Sequence, residues 1–308
     1  MKNNLPTVSI CIPAYNEEEN IKSLLVSLLS QKHKKFVLED IIVRLDASTD
    51  KTYEIVNSLS KKHETIKLIK GSVRKGKYFR VNEAFRNCKT DVLVILDADI
   101  ALVGKDFLEK LIDVISSNKK AVLVSAHQIS LQPSDFIGKI IHTHFEMWSY
   151  IRLNFPNQNS ALNYLGSATA YRGSFVCSIN MPSSLSDPHL YIFMKAREVN
   201  GFIYCKTAEI LVWPISTISD LKKFLQRSIG KKDNELIKLF GKDIESIYYI
   251  PTGYKIKGIV KSLIRQPFYT PLAIVLSLYI SIFVLKNIKK KNSAVWDIVK
   301  STKKPFSQ

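Results

Sequence analysis

The chain alternates short apolar runs with stretches in which apolar residues recur every three or four positions. Val8–Pro13 (V-S-I-C-I-P) is a first predicted strand. After A-Y-N-E-E-E-N, the residues Ile21, Leu24, Leu25, Leu28 and Leu29 fall on one helical face. Asn16 is the expected cap of that helix, and Glu17–Glu19 suit its positive end. Glu39–Asp46 predicts a second strand, with a helix through Ile55 and Leu59 behind it, and Thr65–Lys70 predicts a third. A helix over Lys75–Phe85 leads into Val92, Leu93, Val94, Ile95 and Leu96, a run with the length and branching of a buried strand. Strands and helices alternating at this spacing imply an α/β fold with a doubly wound, mostly parallel sheet.

Beyond residue 100 the pattern loosens. It predicts helices over Phe107–Ile115, Phe136–Leu153 and Asp187–Asn200, and strands over Ala121–Ala126 and Phe202–Lys206. Tyr164–Gly173 predicts a strand at the sheet's far side, and Leu221–Phe240 one or two basic amphipathic helices. Gln266–Leu285 has no charged residue and approaches the ~20 residues that cross a bilayer. One membrane-inserted helix is expected there, and Pro267 and Pro271 permit a kinked, re-entrant or in-plane course. The division is therefore an α/β domain over residues 1–215, basic interfacial helices over 216–265, and an inserted helix with a basic tail over 266–308.

Charge sharpens this division. The 308 residues carry a net +18, and residues 222–308 hold 18 Lys/Arg against 5 Asp/Glu, a local +13. A nucleic-acid binder spreads basic charge along a groove, whereas here it gathers around an apolar segment, as an anionic membrane surface favours. The four cysteines form no C-x-x-C pair, which argues against a zinc or disulfide framework and for a reducing compartment. M-K-N-N-L-P-T has no apolar signal core, so the expected location is the cell membrane with the α/β domain on its cytoplasmic side.

Candidate chemistry sits at predicted strand ends. Asp97 and Asp99 close the fourth strand, two positions apart, and such paired carboxylates suit a hard divalent ion, Mg²⁺ or Mn²⁺, with phosphate supplying further ligands. The plainer alternative is an Asx-turn with solvated carboxylates. Asp46 ends the second strand, where it can accept from a base or ribose, while Ser48 and Asp50 are better placed to cap the next helix. Arg74, Lys75 and Lys77 around Gly76 suit phosphate, or equally a solvated surface. His142 and His144, two apart on a helix, point to different faces, so His189 beside Asp187 is the better candidate to touch a metal or a diphosphate. Trp148, Tyr150 and Trp213 suit a core or an exposed aromatic platform for a ligand.

Taken in order, V-S-I-C-I-P-A-Y-N-E-E-E-N-I (8–21), L-D-A-S-T-D-K-T (45–52), K-G-K (75–77), L-D-A-D (96–99), G-S-A-T-A-Y-R-G (166–173) and S-D-P-H-L (186–190) resemble family 2 glycosyltransferases, which have the GT-A fold. The resemblance implies that Pro13, Tyr15 and Glu17 line a nucleotide pocket, that Asp46 reads the base and that Lys77 lies near the diphosphate. It implies that Asp97 and Asp99 hold ribose and the divalent metal, and that Asp187, from the family's E-D-x-x-L motif, is the general base. Two departures are visible. Ser186 replaces the glutamate of that motif, and Q-R-S-I-G offers Gln226 and Arg227 without the second arginine or the tryptophan of the processive Q-x-x-R-W motif. Transfer of a single sugar is therefore expected, with Gln226 and Arg227 as contacts to acceptor or diphosphate. The implied activity is metal-dependent, inverting transfer from a nucleotide-sugar (a UDP-sugar by family habit) to a glycan or lipid-linked acceptor, with no nucleic acid as partner. The alternatives are a catalytically degenerate membrane-bound subunit, and a nucleotidyltransferase, which would want a Gly-rich loop where this chain has P-A-Y-N-E.

Overall fold

The structure, a computed structural model, describes residues 5–182, 185, 187–228, 234–241, 244, 246–284 and 298–306. Its first half is β1 (Thr7–Ala14), α1 (Ile21–Leu29), β2 (Val37–Asp46), α2 (Thr52–Ser60), β3 (Ile66–Gly71), α3 (Lys77–Arg86) and β4 (Val92–Leu96). Then come β5 (Ile100–Leu102), α4 (Phe107–Ser117), β6 (Leu123–Ser130), α5 (Phe136–Leu153), β7 (Ala168–Arg172), α6 (Gly173–Ser178), α7 (Pro188–Glu198) and β8 (Phe202–Val212). The last helices are α8 (Ile218–Ser228), α9 (Asn234–Phe240), α10 (Thr252–Arg265) and α11 (Tyr269–Tyr279).

One sheet of order β3-β2-β1-β4-β7-β6-β8-β5 runs through the molecule. The two-residue period of the strands divides their side chains between two cores. Val8, Ile10, Ile12, Val92, Val94 and Leu96 pack with α1, α2 and α4. Cys11, Leu93 and Ile95 face the other way, against α3, α6 and α7. Each fully buried Leu or Ile of these layers contributes roughly 1.5–3 kcal/mol, so the central strands tolerate little polarity. A third cluster joins Ile141 of α5, Ile215, Leu221 and Leu225 around α8, Ile280 after α11, and Val299.

β1 is parallel to both β2 and β4, on its opposite sides. The chain reverses its direction of winding there, and the carboxyl ends of β1 and β4 open a crevice of the kind in which open α/β sheets bind ligands. The Tyr164–Gly173 strand lies elsewhere than expected: β7 is central, antiparallel between β4 and β6. It pairs Leu96 with Ala168 and so brings residues 164–167 beside Asp97, whose N–H donates to the Ser167 carbonyl (2.8 Å). The Phe202–Lys206 strand continues to Val212 as a partner for β5.

Two further expectations change. Asn20, not Asn16, precedes α1, and Asn16 instead takes a left-handed conformation (φ 54°). Within Gln266–Leu285, α11 ends at Tyr279 and a π turn covers Ile280–Val284. Among the described residues no helix is long and apolar enough to cross a membrane, so the membrane-inserted helix is not supported. The segment is held laterally: Gln266 accepts from the Thr143 hydroxyl and donates to Glu146 on α5 (both 2.6 Å), while Thr270 and Ala273 are fully buried.

Candidate active site

The loops after β1 and β2 brace one another. Asn16 Oδ1 accepts from Thr49 N–H (2.9 Å), Glu17 N–H donates to Thr52 Oγ1 (2.8 Å), and Glu18 N–H donates to Asp50 Oδ2 (3.1 Å). Ala47, like Asn16, has positive φ (61°), so both strands end in sharp left-handed turns. The S-T-D-K-T stretch thus holds the Tyr15–Glu18 turn in place, beyond the local capping expected of Ser48 and Asp50. Pro13 is buried within β1 and shapes the strand end. Tyr15 is partly exposed, with the Arg74 guanidinium 3.8 Å from its ring centroid.

Asp46 has a setting the sequence did not suggest. Its carboxylate accepts from Lys75 N–H (2.9 Å), Gly76 N–H (2.8 Å) and Arg80 Nε (2.9 Å), and it is almost fully buried. It fixes the basic 73–76 loop and the start of α3. Gly76, at φ 93°, lets that loop present its two N–H groups. Removing one partner of the buried Asp46–Arg80 pair costs about 3–5 kcal/mol, because the other charge is then stranded.

Around the crevice three carboxylates converge. Lys77 Nζ meets Asp97 Oδ1 (2.5 Å) and the Gly166 carbonyl (3.2 Å). Burial, then Asp97, raises the Asp99 carboxyl above its ordinary value. Glu17 is pushed up to about 8, by burial first and then by Asp99, although Lys303 binds it. Like charges held so close require compensation, which the structure supplies as two lysines. Hard oxygen donors of this kind fit Mg²⁺ or Mn²⁺. Among the described residues no group of three or more His, Cys, Asp or Glu side chains is arranged to hold a metal alone. Asp97 and Asp99 would thus hold the ion together with phosphate oxygens, the usual condition for Mg²⁺.

Asp187 caps α7 through Oδ1, which accepts from Leu190 N–H (2.9 Å). The Tyr78 phenol is raised well above its ordinary value by burial first and then by the charge of Asp187, with Tyr171 and Asp97 adding to it. Gln226 is on the last turn of α8, whose Asp220 binds the chain near its C-terminus, and the Arg227 side chain lies outside the described residues, as does Ser186. The two helix histidines do separate: His144 Nδ1 meets Ser277 Oγ (2.7 Å), whereas His142 faces Glu146. Trp148 is exposed, Tyr150 lies under Lys261 and Arg265, and Trp213 contacts Phe306.

His189 stacks flat on Tyr164 (centroids 3.9 Å, 3°) and against Gly166, where an added Cβ would lie 2.8 Å from the imidazole. Burial, then the Lys77 ammonium, pushes its pKa down to about 3. A depressed histidine pKa stabilises the fold above the unfolded value near 6.5, and that stability is lost as pH falls toward 3. This group should therefore cost up to about 1.4 kcal/mol per pH unit across that window. Urea denaturation at stepped pH is expected to show a shallower acid limb for His189→Phe, which keeps the stacking, and an unchanged limb would contradict the assignment.

Comparison with known proteins bears on the family and the fold. The profile described as Glycosyl transferase family 2 matches residues 9–177. The chain is 39% identical over 98 residues to the probable glycosyltransferase YdaM of Bacillus subtilis, covering 31% of this chain and 23% of that protein. It is 36% identical over 144 residues to the dolichyl N-acetyl-alpha-D-glucosaminyl phosphate 3-beta-D-2,3-diacetamido-2,3-dideoxy-beta-D-glucuronosyltransferase of Methanococcus voltae, covering 44% of each. The matches thus span less than half of either curated relative. In three dimensions it resembles the mannosyltransferase PcManGT of Pyrobaculum calidifontis, solved with GDP-Man and Mn²⁺, at TM-score 0.55 and 19% identity over 91% of this chain and 76% of that one. At that identity the likeness concerns the fold.

Proposed function

The chain belongs to glycosyl transferase family 2, and from that premise we propose a metal-dependent, inverting glycosyltransferase that moves a sugar from a nucleoside-diphosphate donor to a hydroxyl of a glycan or lipid-linked acceptor. The observation that carries the reading is the convergence of Asp97 and Asp99 with Lys77 and Glu17 at the β1/β4 crevice. Tyr15 and Arg74 offer a flat, cationic wall for the nucleotide, and Lys77 a point charge for the diphosphate. The chemistry supplied at Asp97 and Asp99 by bound Mg²⁺ or Mn²⁺ is neutralisation of charge on the departing nucleoside diphosphate. Asp187, held by its cap, takes the proton from the acceptor hydroxyl as that oxygen attacks the anomeric carbon from the face opposite the leaving group. Asp46 acts at one remove, by fixing the basic loop. A UDP-sugar is the first donor to try, with GDP-mannose next, because PcManGT was solved with it. Assay of nucleoside diphosphate release from a panel of nucleotide-sugars, with lipid extract as acceptor, should find one metal-dependent donor. Release from none would contradict the reading.

A lipid-linked acceptor and a membrane-surface location are supported by α10 together with α11. Ile256, Val260 and Ile264 stand exposed beside Lys257, Lys261 and Arg265, and Phe268, Val275 and Leu278 continue the apolar surface. The opposite side of α10 is fixed on α5, where a Cβ on Gly258 would lie 2.3 Å from Ile151. An amphipathic face of this kind lies in the headgroup plane, its lysines toward anionic lipid. Co-sedimentation with phosphatidylglycerol vesicles should fall about tenfold or more when Ile256→Asp and Ile264→Asp are combined. Equal binding would remove the membrane from the proposal.

A further inference from the structure

One cation at the crevice comes from a segment nearly three hundred residues away along the chain. Lys303 Nζ donates to the Tyr15 carbonyl (2.8 Å), the Asn16 carbonyl (2.9 Å) and Glu17 Oε1. Its three N–H donors meet three acceptors, all on the turn after β1. Next to it, the Thr302 hydroxyl reaches Asp99 Oδ2 (3.4 Å).

We propose that residues 299–306 are part of the donor site, with Lys303 as a positioning residue that clamps the Tyr15–Glu17 turn. This inference rests on the donor-site reading above. A segment that merely lay across the opening would show few anchors of its own, whereas this one is fastened on both sides of Lys303. On one side Val299 is buried among Ile141, Ile215, Leu221, Leu225 and Ile280. Ser301 N–H donates to Asp220 Oδ2 (2.8 Å), and Ser301 Oγ accepts from Ser216 N–H (3.3 Å). On the other side Lys304 lies 5.6 Å from the Trp213 ring centroid, and Phe306 packs on the same indole.

The clamp has a physical reason. Glu17 is almost fully buried and its carboxyl is pushed up to about 8, so the Lys303 ammonium supplies the hydrogen bond and part of the compensation that burial withholds. Lys77 already serves Asp97, so Lys303 is the cation for Glu17. The alternative role is a plug that competes with the donor, and it predicts changes of the opposite sign.

The test compares wild type, Lys303→Met and Lys303→Arg in the full chain. Hydrogen exchange without ligand reads the clamp directly: the Asn16–Glu18 amides should exchange about tenfold faster or more in Lys303→Met, the effect of losing one charge-assisted hydrogen bond. With Mn²⁺ and the nucleotide-sugar that wild type binds, the donor Kd and KM should rise by a similar factor, with kcat within about threefold. Lys303→Arg, which keeps charge and donors, should recover most of both losses. Unchanged exchange at Asn16–Glu18, or a tighter donor Kd in Lys303→Met, would overturn the proposal. A wild-type chain that binds no nucleotide-sugar overturns the donor-site reading on which the proposal rests, while the exchange result separately decides whether Lys303 clamps the turn.

Discussion

Asp187→Asn is expected to lower kcat for sugar transfer by about a thousandfold, within the usual range for loss of a general base, while leaving the donor Kd within about twofold of wild type. The substitution separates two roles of one side chain. As cap of α7, Asp187 needs only an oxygen that accepts from Leu190 N–H, and asparagine supplies one. As base it needs a proton affinity that an amide lacks. Asp187→Ala should additionally lose about 1 kcal/mol of stability with the cap. Turnover assays beside donor titration and denaturant unfolding read all three quantities. Full transfer by Asp187→Asn would move the base elsewhere.

The second large effect is expected for Asp99→Asn, with an unusual pairing of outcomes. Metal-dependent donor binding should fall by about a hundredfold or more, since one of two anionic ligands is removed from an ion that takes its other ligands from phosphate. Stability should hold or rise by about 1 kcal/mol, because a half-buried carboxylate that repels Asp97 has been neutralised. Loss of function with no loss of stability distinguishes a ligand from a structural residue. If Asp99→Asn unfolded more easily, the carboxylate would instead be serving the fold, for example through the Thr302 hydroxyl.

Much of this site was legible because its parts sit at the ends of short buried strands. The run Val92–Leu96 has nowhere to go but the interior, so the aspartates after it had to emerge at the carboxyl end of a central strand. α5 matched its predicted limits, Phe136–Leu153, because its apolar positions repeat over five turns and Asp135 caps its start. β5 was missed because three residues carry no period. β8 ran past its predicted end because Lys206 and Glu209 interrupt its pattern while Ala208 and Ile210 remain buried. β7 was misplaced because strand order depends on pairing, which local sequence does not encode. The same limit hid two contacts at the site. Asp46 looks free at a strand end until a loop thirty residues later delivers its donors, and Lys303 reaches Tyr15, Asn16 and Glu17 across nearly the whole chain. The course of the apolar stretch after Gln266 was open in the sequence for a related reason: composition reports that a segment is apolar, but α5 determines that one side of it is buried against protein.

Calorimetric titration of UDP- and GDP-sugars into the full chain, with Mn²⁺ and with chelator, bears most directly on the metal-dependent donor site. One nucleotide-sugar should bind with Mn²⁺, bind far more weakly with chelator, and lose its metal dependence in Asp99→Asn. Binding of equal strength with and without metal, or no binding of any donor, would contradict a metal-dependent donor site at the end of β4.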